Sequence, residues 1–347
     1  MAVITILGSG MMGSAMSFPA RKNGNEVRLV GTHLDRAIID GLRENNWHIT
    51  MKRTLPEGCK YYQIEELSEA LEGCDLLISG VSSFGVEWFA NEILPILPDE
   101  LPILGITKGM FDMEDGSLVP YPIYYKNLPQ GKNKNFYAVG GPCTSYELAD
   151  LDPTEVAFCG NDIETLRWIK SLFETDFYHI SPSTDVIGVE CAVAMKNAYA
   201  LGVTLAIGLS ERTEGVGGKQ HYNSQAALFG QSVKEMRRLL KMTGGHDDNI
   251  ILGAGDLYVT VFGGRTRYIG TLLGRGLSFE DAMNELKGVT LESIVIATRT
   301  ARAVRRLIEL GKAKAEDFPL LMHIDDIISN GAEVNIPWTA FESETII

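Results

Sequence analysis

The stretch Ala2 to Ala15, AVITILGSGMMGSA, decides how the rest of the chain is read. Ala2 to Leu7 is a short apolar run that predicts a buried strand, followed by a tight glycine turn and the start of a helix. Gly8, Gly10 and Gly13 fall at the G-x-G-x-x-G spacing of a dinucleotide-binding turn. Gly8 permits the sharp turn, Gly10 lets a diphosphate approach the backbone, and Gly13 lets the helix pack closely on the strand. Ser9, Met11 and Met12 line the same turn, and the phosphates meet the free N–H groups and positive dipole end of the helix. A glycine triplet recurs by chance in a chain with 36 glycines. Here a strand precedes it, a helix pattern follows, and Glu26 to Val30 supplies the second strand of the unit.

A chain of 347 residues accommodates about two domains, each with its own core. Hydrophobic residues at 45% and charged residues at 22% are ordinary for a soluble globular protein. A net charge of −14 argues against a nucleic-acid or anionic-membrane surface, though a local Lys/Arg cluster still suits an anionic substrate. Cys59, Cys74, Cys143, Cys159 and Cys191 show no metal-ligand spacing and read as reduced thiols of a cytoplasmic protein; no metal site is expected. Met1 runs straight into the first strand, so no signal peptide is expected. Val186 to Leu209 alone is long and apolar enough to suggest a membrane span, but it carries Glu190, Lys196 and Asn197, which suit a buried functional helix better.

After the second strand come Gly31, Thr32 and His33. No carboxylate stands there to hold the adenosine ribose of NAD, and Thr32 and His33, with Arg36 a turn later, lean towards a 2′-phosphate and so towards NADP, with dual use open. Asp35 to Leu71 reads as helical and connecting sequence. Cys74 to Val81 is a further buried strand whose end carries Ser82 and Phe84, and Leu101 to Ile106 is another, ending in Thr107-Lys108-Gly109. Loops at strand C-termini line the cofactor crevice in such sheets, which places Ser82, Phe84 and Lys108 beside the glycine turn. Phe111 to Lys134, rich in Pro, Gly, Tyr and Lys, reads as an excursion over the surface. Asn135 to Gly140, Glu155 to Cys159 and Asp176 to Ile180 look like the last strands, and the nucleotide domain ends near Ser183.

From Asp185 onward the patterns are helical. Val186 to Leu209 is apolar on every face, so a lysine within it, Lys196, needs a partner or a chemical use. Glu211 to His221 reads as a loop, and Asn223 to Met242 as a helix. Gly253 to Leu257 and Gly263 to Arg267 frame a short helical segment and gather Asp256, Arg265 and Arg267, where a guanidinium suits a phosphate. Further helices are expected at Ser278 to Leu286, Leu291 to Leu310 and Leu320 to Asn330. Lys196, Lys108 and Arg265 are thus the cationic candidates for a site.

The clusters GSGMMG, ITKGM, ECAVAMKNAYALG and GAGDLYVTVFGGRTR, with GGPCTSYELA and FPLLMHI, resemble the NAD(P)-dependent glycerol-3-phosphate dehydrogenase family in order and spacing. The resemblance implies an α/β Rossmann-type domain with a parallel-rich sheet over residues 1–184. It implies an all-α domain, like the C-terminal domain of 6-phosphogluconate dehydrogenase, over residues 185–347. It further implies a homodimer interconverting dihydroxyacetone phosphate and sn-glycerol 3-phosphate with NAD or NADP. Lys108 matches a lysine touching substrate and nicotinamide, Lys196 the proton donor and acceptor, and Asp256 the aspartate orienting it. Arg265 matches the arginine holding the substrate phosphate and lying against the cofactor, Asn197 and Thr260 match substrate neighbours, and Glu292 a residue against the nucleotide. Three features depart from the family: Thr266 replaces the asparagine of its Arg-Asn pair, Gly208 to Asn223 is a longer loop, and Ser82 stands where proline is usual. A related dehydrogenase acting on another phosphorylated polyol or a hydroxy acid, or a non-catalytic dinucleotide sensor, remains as the alternative.

Overall fold

The computed structural model of the chain describes residues 1–289 and 291–341. Twelve strands occur among them: β1 Val3–Leu7, β2 Glu26–Val30, β3 Trp47–His48, β4 Arg53–Thr54, β5 Lys60–Tyr62, β6 Leu76–Ser79, β7 Pro102–Gly105, β8 Met110–Asp112, β9 Leu118–Pro120, β10 Asn135–Gly140, β11 Thr154–Gly160 and β12 Tyr178–Ser183. Eight form one sheet in the order β12-β11-β10-β7-β6-β1-β2-β5. Every pairing in it is parallel except β10 with β11. The parallel-rich α/β sheet and the helical second half are as expected. Strands β1 and β6 run almost wholly through the core, as apolar strands covered on both faces must.

The chain divides into two compact units: Met1–Lys108 with Pro120–Glu190, and Gly109–Val119 with Cys191–Ile347. A single cut at residue 184 therefore misses one element, since the hairpin β8–β9 goes with the helices. Its attachment is physical. From the helix Glu292–Glu309, Arg302 grips Asp112 at 2.6 and 2.8 Å, Arg299 donates to the Met110 carbonyl at 3.1 Å, and Arg306 donates to the Glu114 carbonyl at 3.0 Å. Residues 299, 302 and 306 share one helix face, and the Arg299 guanidinium lies 4.4 Å over the Phe111 ring.

Other expectations need correction. Asp35 to Leu71 holds the helix Arg36–Asn45, but also the β3–β4 hairpin and β5, which pairs with β2 at the sheet edge. Strands of two or three residues take their definition from a partner and leave no periodic signal of their own. Phe111 to Lys134 is not a surface excursion: beyond the hairpin, the helix Tyr121–Asn127 buries Tyr121 and Tyr125, and Tyr125 stacks on Phe136 at 5.5 Å. Asp256 and Arg265 lie in two substantial helices, Ile250–Val261 and Gly264–Arg275, not around one short segment. The central helix runs from Val186 to Glu214, five residues past the expected end, and 89% of its most apolar window is buried inside the protein. A long apolar helix enclosed by others is a core element.

Candidate functional site

Register places the ends of four adjacent strands side by side. Leu7 is level with Val30 on one side and with Ser79 on the other, and Ser79 is level with Gly105. The segments leaving these strands carry Gly8 to Gly13, Thr32 and His33, Ser82 and Phe84, and Lys108. The chain turns from β1 to β2 on one flank and returns to β6 on the other, so Gly8 sits where the strand order reverses, the position of ligand crevices in open α/β sheets.

The turn fits a dinucleotide. Gly8 has φ +108°, and a Cβ on it would lie 2.6 Å from the Gly80 carbonyl; a Cβ on Gly13 would lie 2.1 Å from the Gly8 oxygen. The first and third glycines are thus demanded by close backbone approach. A Cβ on Gly10 would meet nothing within 4 Å, so the outward side of the turn is open. Ser9 Oγ is buried without a hydrogen-bond partner in the turn. Met11 and Met12 open the helix Met11–Ala15 and are half-buried.

At the end of β2, Thr32 donates both its N–H and its hydroxyl to Asp35 Oδ2, each at 2.8 Å. The sequence reading missed this acid: it lies past the usual carboxylate position and folds back on the strand end. His33 is exposed and packs edge-on against Trp88 at 5.6 Å, and Arg36 pairs with Glu65. Ser82 and Phe84 are exposed, Phe84 at the turn beyond β6.

Lys108 lies half-buried beyond β7, and its ammonium donates to the Gly141 carbonyl at 2.7 Å. Glu190 was not singled out as a site residue, although an acid within an apolar run is a legible signal. It lines a small cavity with Ser79, Gly105, Thr107, Tyr121 and Tyr137, just behind the strand ends. Both of its carboxylate oxygens are buried without a hydrogen-bond partner. Burial pushes its pKa up to about 8, against the field of Lys108, which favours the ionised form.

In the helical unit the distinctive feature is an ion pair. Lys196 Nζ stands 2.6 Å from Asp256 Oδ1, with the Asp256 side chain fully buried and that of Lys196 14% exposed. Gly253 brings the two helices together: a Cβ there would lie 2.6 Å from the Ala192 carbonyl. Asp256 and Lys196 follow about one turn later on their respective helices, so the contact that needs glycine also aligns the pair. Asn197 is buried beside Lys196 in sequence, and Thr260, one turn after Asp256, donates its hydroxyl to the Asp256 carbonyl at 2.7 Å. Arg265 is exposed in the first turn of the helix Gly264–Arg275, whereas Thr266 is buried against the central helix, its carbonyl 3.5 Å from Thr204 Oγ1. Glu292 is half-buried at the start of the helix Glu292–Glu309. The cofactor-side candidates other than Arg265 and Glu292 thus gather at one sheet edge, and Lys196 and Asp256 meet between two helices, with Asn197 and Thr260 close by in sequence.

The chain also matches known proteins. The family described as the NAD-dependent glycerol-3-phosphate dehydrogenase N-terminus matches residues 3–166, and that of the corresponding C-terminus matches residues 185–338. An NADP(+)-dependent glycerol-3-phosphate dehydrogenase of Archaeoglobus fulgidus is 33% identical over 88% of this chain and 89% of its own. A glycerol-3-phosphate dehydrogenase [NAD(P)+] of Bacillus velezensis is 27% identical over 99% of this chain and 94% of its own. Among solved structures, the glycerol-3-phosphate dehydrogenases of Plasmodium falciparum and Coxiella burnetii, each 22% identical, share the fold. Their TM-scores are 0.83 and 0.78; the first covers 100% of this chain and 96% of that one, the second 97% of each.

Proposed function

The chain belongs to the NAD-dependent glycerol-3-phosphate dehydrogenase family, and from that premise we propose how its residues carry the reaction. It is an oxidoreductase that uses NAD(P)H to reduce dihydroxyacetone phosphate, reversibly, to sn-glycerol 3-phosphate. The bound nicotinamide supplies the hydride, and the rest of the chemistry falls to the protein. The Lys196–Asp256 pair carries the reading. Lys196 gives a proton to the substrate oxygen as the ketone is reduced and takes it back in the reverse direction, while Asp256 holds the ammonium in place. Lys108 stabilises the developing alkoxide and is the residue that would adjoin the nicotinamide when the cofactor is bound. Arg265 anchors the substrate phosphate, with Asn197, Thr260 and Thr266 beside it, so binding of a non-reacting group positions the carbonyl.

Gly8 to Gly13 hold the diphosphate, Ser82, Phe84 and Glu292 flank the cofactor, and Thr32 and His33 receive the adenosine end. NADP is the proposed preference. The NADP-dependent relative supports it. The family resemblance supports a homodimer, and five free thiols support a cytoplasmic location. Side-by-side loss of NADPH and NADH absorbance on adding dihydroxyacetone phosphate tests the reaction and the preference together. No turnover with either cofactor rejects the assignment, and faster turnover with NADH rejects the preference alone.

A further inference from the structure

His48 ends β3, is wholly buried, and makes two hydrogen bonds whose chemistry fixes its state. Its Nε2 lies 2.8 Å from the Ser9 carbonyl oxygen, and the Met51 N–H donates to its Nδ1 at 3.0 Å. A carbonyl can only accept and a backbone N–H can only donate, so the ring carries its proton on Nε2 and a lone pair on Nδ1. Burial, the largest influence on this imidazole, holds its pKa below the usual value and agrees with a neutral ring; Asp35 is the charged side chain whose field opposes that shift.

The carbonyl that His48 holds belongs to the dinucleotide turn. Ser14 Oγ donates to the same oxygen at 3.2 Å. The peptide joining Ser9 to Gly10 is trans, as is every peptide bond among the described residues, so its C=O and N–H point to opposite sides. Two donors drawing the Ser9 oxygen inward therefore turn the Gly10 N–H the opposite way, and a Cβ built on Gly10 would meet nothing within 4 Å. We propose that His48 is a positioning residue for the cofactor diphosphate: by holding the Ser9 carbonyl, it aims the Gly10 N–H at the phosphate. The β3–β4 hairpin thus acts as a brace behind the glycine turn. Preorganising a donor lowers the cost of binding, because the peptide is not reoriented when the anion arrives.

This inference rests on the dinucleotide reading of Gly8 to Gly13, and the experiment separates the two. NADPH is titrated onto the whole protein by fluorescence, and the melting temperature, kcat and KM for dihydroxyacetone phosphate are measured alongside. Wild-type protein that binds neither NADPH nor NADH overturns the dinucleotide reading before any variant is made, and if only NADH binds, it replaces NADPH in the titration. Given binding, His48→Asn keeps an acceptor near Nδ1 but loses the donor to Ser9, and about a tenfold rise in Kd for NADPH is expected, with kcat within about twofold. His48→Gln places an amide nitrogen near Nε2 and restores Kd to within about threefold of wild type. An unchanged Kd in His48→Asn, or equal losses in both variants, overturns the proposal and leaves His48 as packing alone. If His48→Asn does not fold, Ser14→Ala decides. It removes the other donor without touching the hairpin, and a rise in Kd of about threefold supports the brace while no change overturns it.

Discussion

Lys196 and Asp256 sit 60 positions apart, yet Nζ and Oδ1 lie 2.6 Å apart, with the carboxylate fully buried. Removing an ammonium from beside a fully buried carboxylate takes away compensating charge in the interior, which is expensive. Lys196→Ala should lower kcat by about 10²- to 10⁴-fold, the range for a lost general acid, while Kd for NADPH changes less than about threefold. Stopped-flow turnover and fluorescence titration check the two halves. Near-normal kcat would reassign the proton transfer.

Asp256→Asn keeps the shape but removes the charge that holds the ammonium. We expect a kcat loss smaller than that of Lys196→Ala, and a double-mutant cycle that is strongly non-additive because both changes break one unit. Additive losses would show that the two side chains act separately.

Gly253→Ala tests how the pair is aligned. Its Cβ would come to 2.6 Å from the Ala192 carbonyl and 3.0 Å from Met236 Cε. The first neighbour is backbone, so the helices must separate, at a cost of about 1–3 kcal/mol typical of overpacking. Both Tm and kcat should fall, with cofactor Kd unchanged. A variant of full stability and activity would show that the close approach is dispensable.

Arg265→Ala should raise KM for dihydroxyacetone phosphate by about 10- to 150-fold, corresponding to one charge-assisted contact of about 1.5–3 kcal/mol, with little change in kcat. Inhibition by inorganic phosphate should weaken in parallel. A defect confined to NADPH binding would move Arg265 from the substrate to the cofactor.

Glu190 predicts a pH dependence of stability. Burial raises its pKa from 4.5 to about 8 in the folded protein, so between these values the native state holds a proton that the unfolded chain has lost. Stability from this group is therefore complete below about pH 4.5 and is lost as pH rises through about 8. Glu190→Gln removes the titration. The Tm of wild type should drop more steeply between about pH 4.5 and 8 than that of the variant. Parallel melting curves across that range would show that Glu190 is ionised in the fold.

The glycine turn was legible because its G-x-G-x-x-G spacing is short-range, although only Gly13 is demanded by the turn itself, while Gly8 is demanded by the Gly80 carbonyl beyond the neighbouring strand; the period-free apolar runs of β1 and β6 announce buried strands. Lys196 was legible for a related reason, since a charge amid an enclosing apolar helix has few explanations. The resemblance to a known family then named the reaction. The β3–β4 hairpin and β5 were not legible. Two or three residues carry no periodicity, and hydrogen bonds to neighbours define them. Tyr121 and Tyr125 misled for a different reason: Pro- and Tyr-rich sequence reads as surface until ring packing shows where it goes.

From its sequence alone this protein was determined to be a dinucleotide-binding α/β domain followed by helices, with Lys108, Lys196, Asp256 and Arg265 as its candidate chemistry. Those features depend on residue type and short-range spacing, which the chain states outright. Only the tertiary structure decided that the hairpin after Lys108 belongs with the helices, that Asp35 turns back on Thr32, and that His48 reaches the carbonyl of Ser9. Each is a contact between side chains or backbone groups far apart in the chain or hidden within a loop, and its existence depends on where packing brings the two ends together.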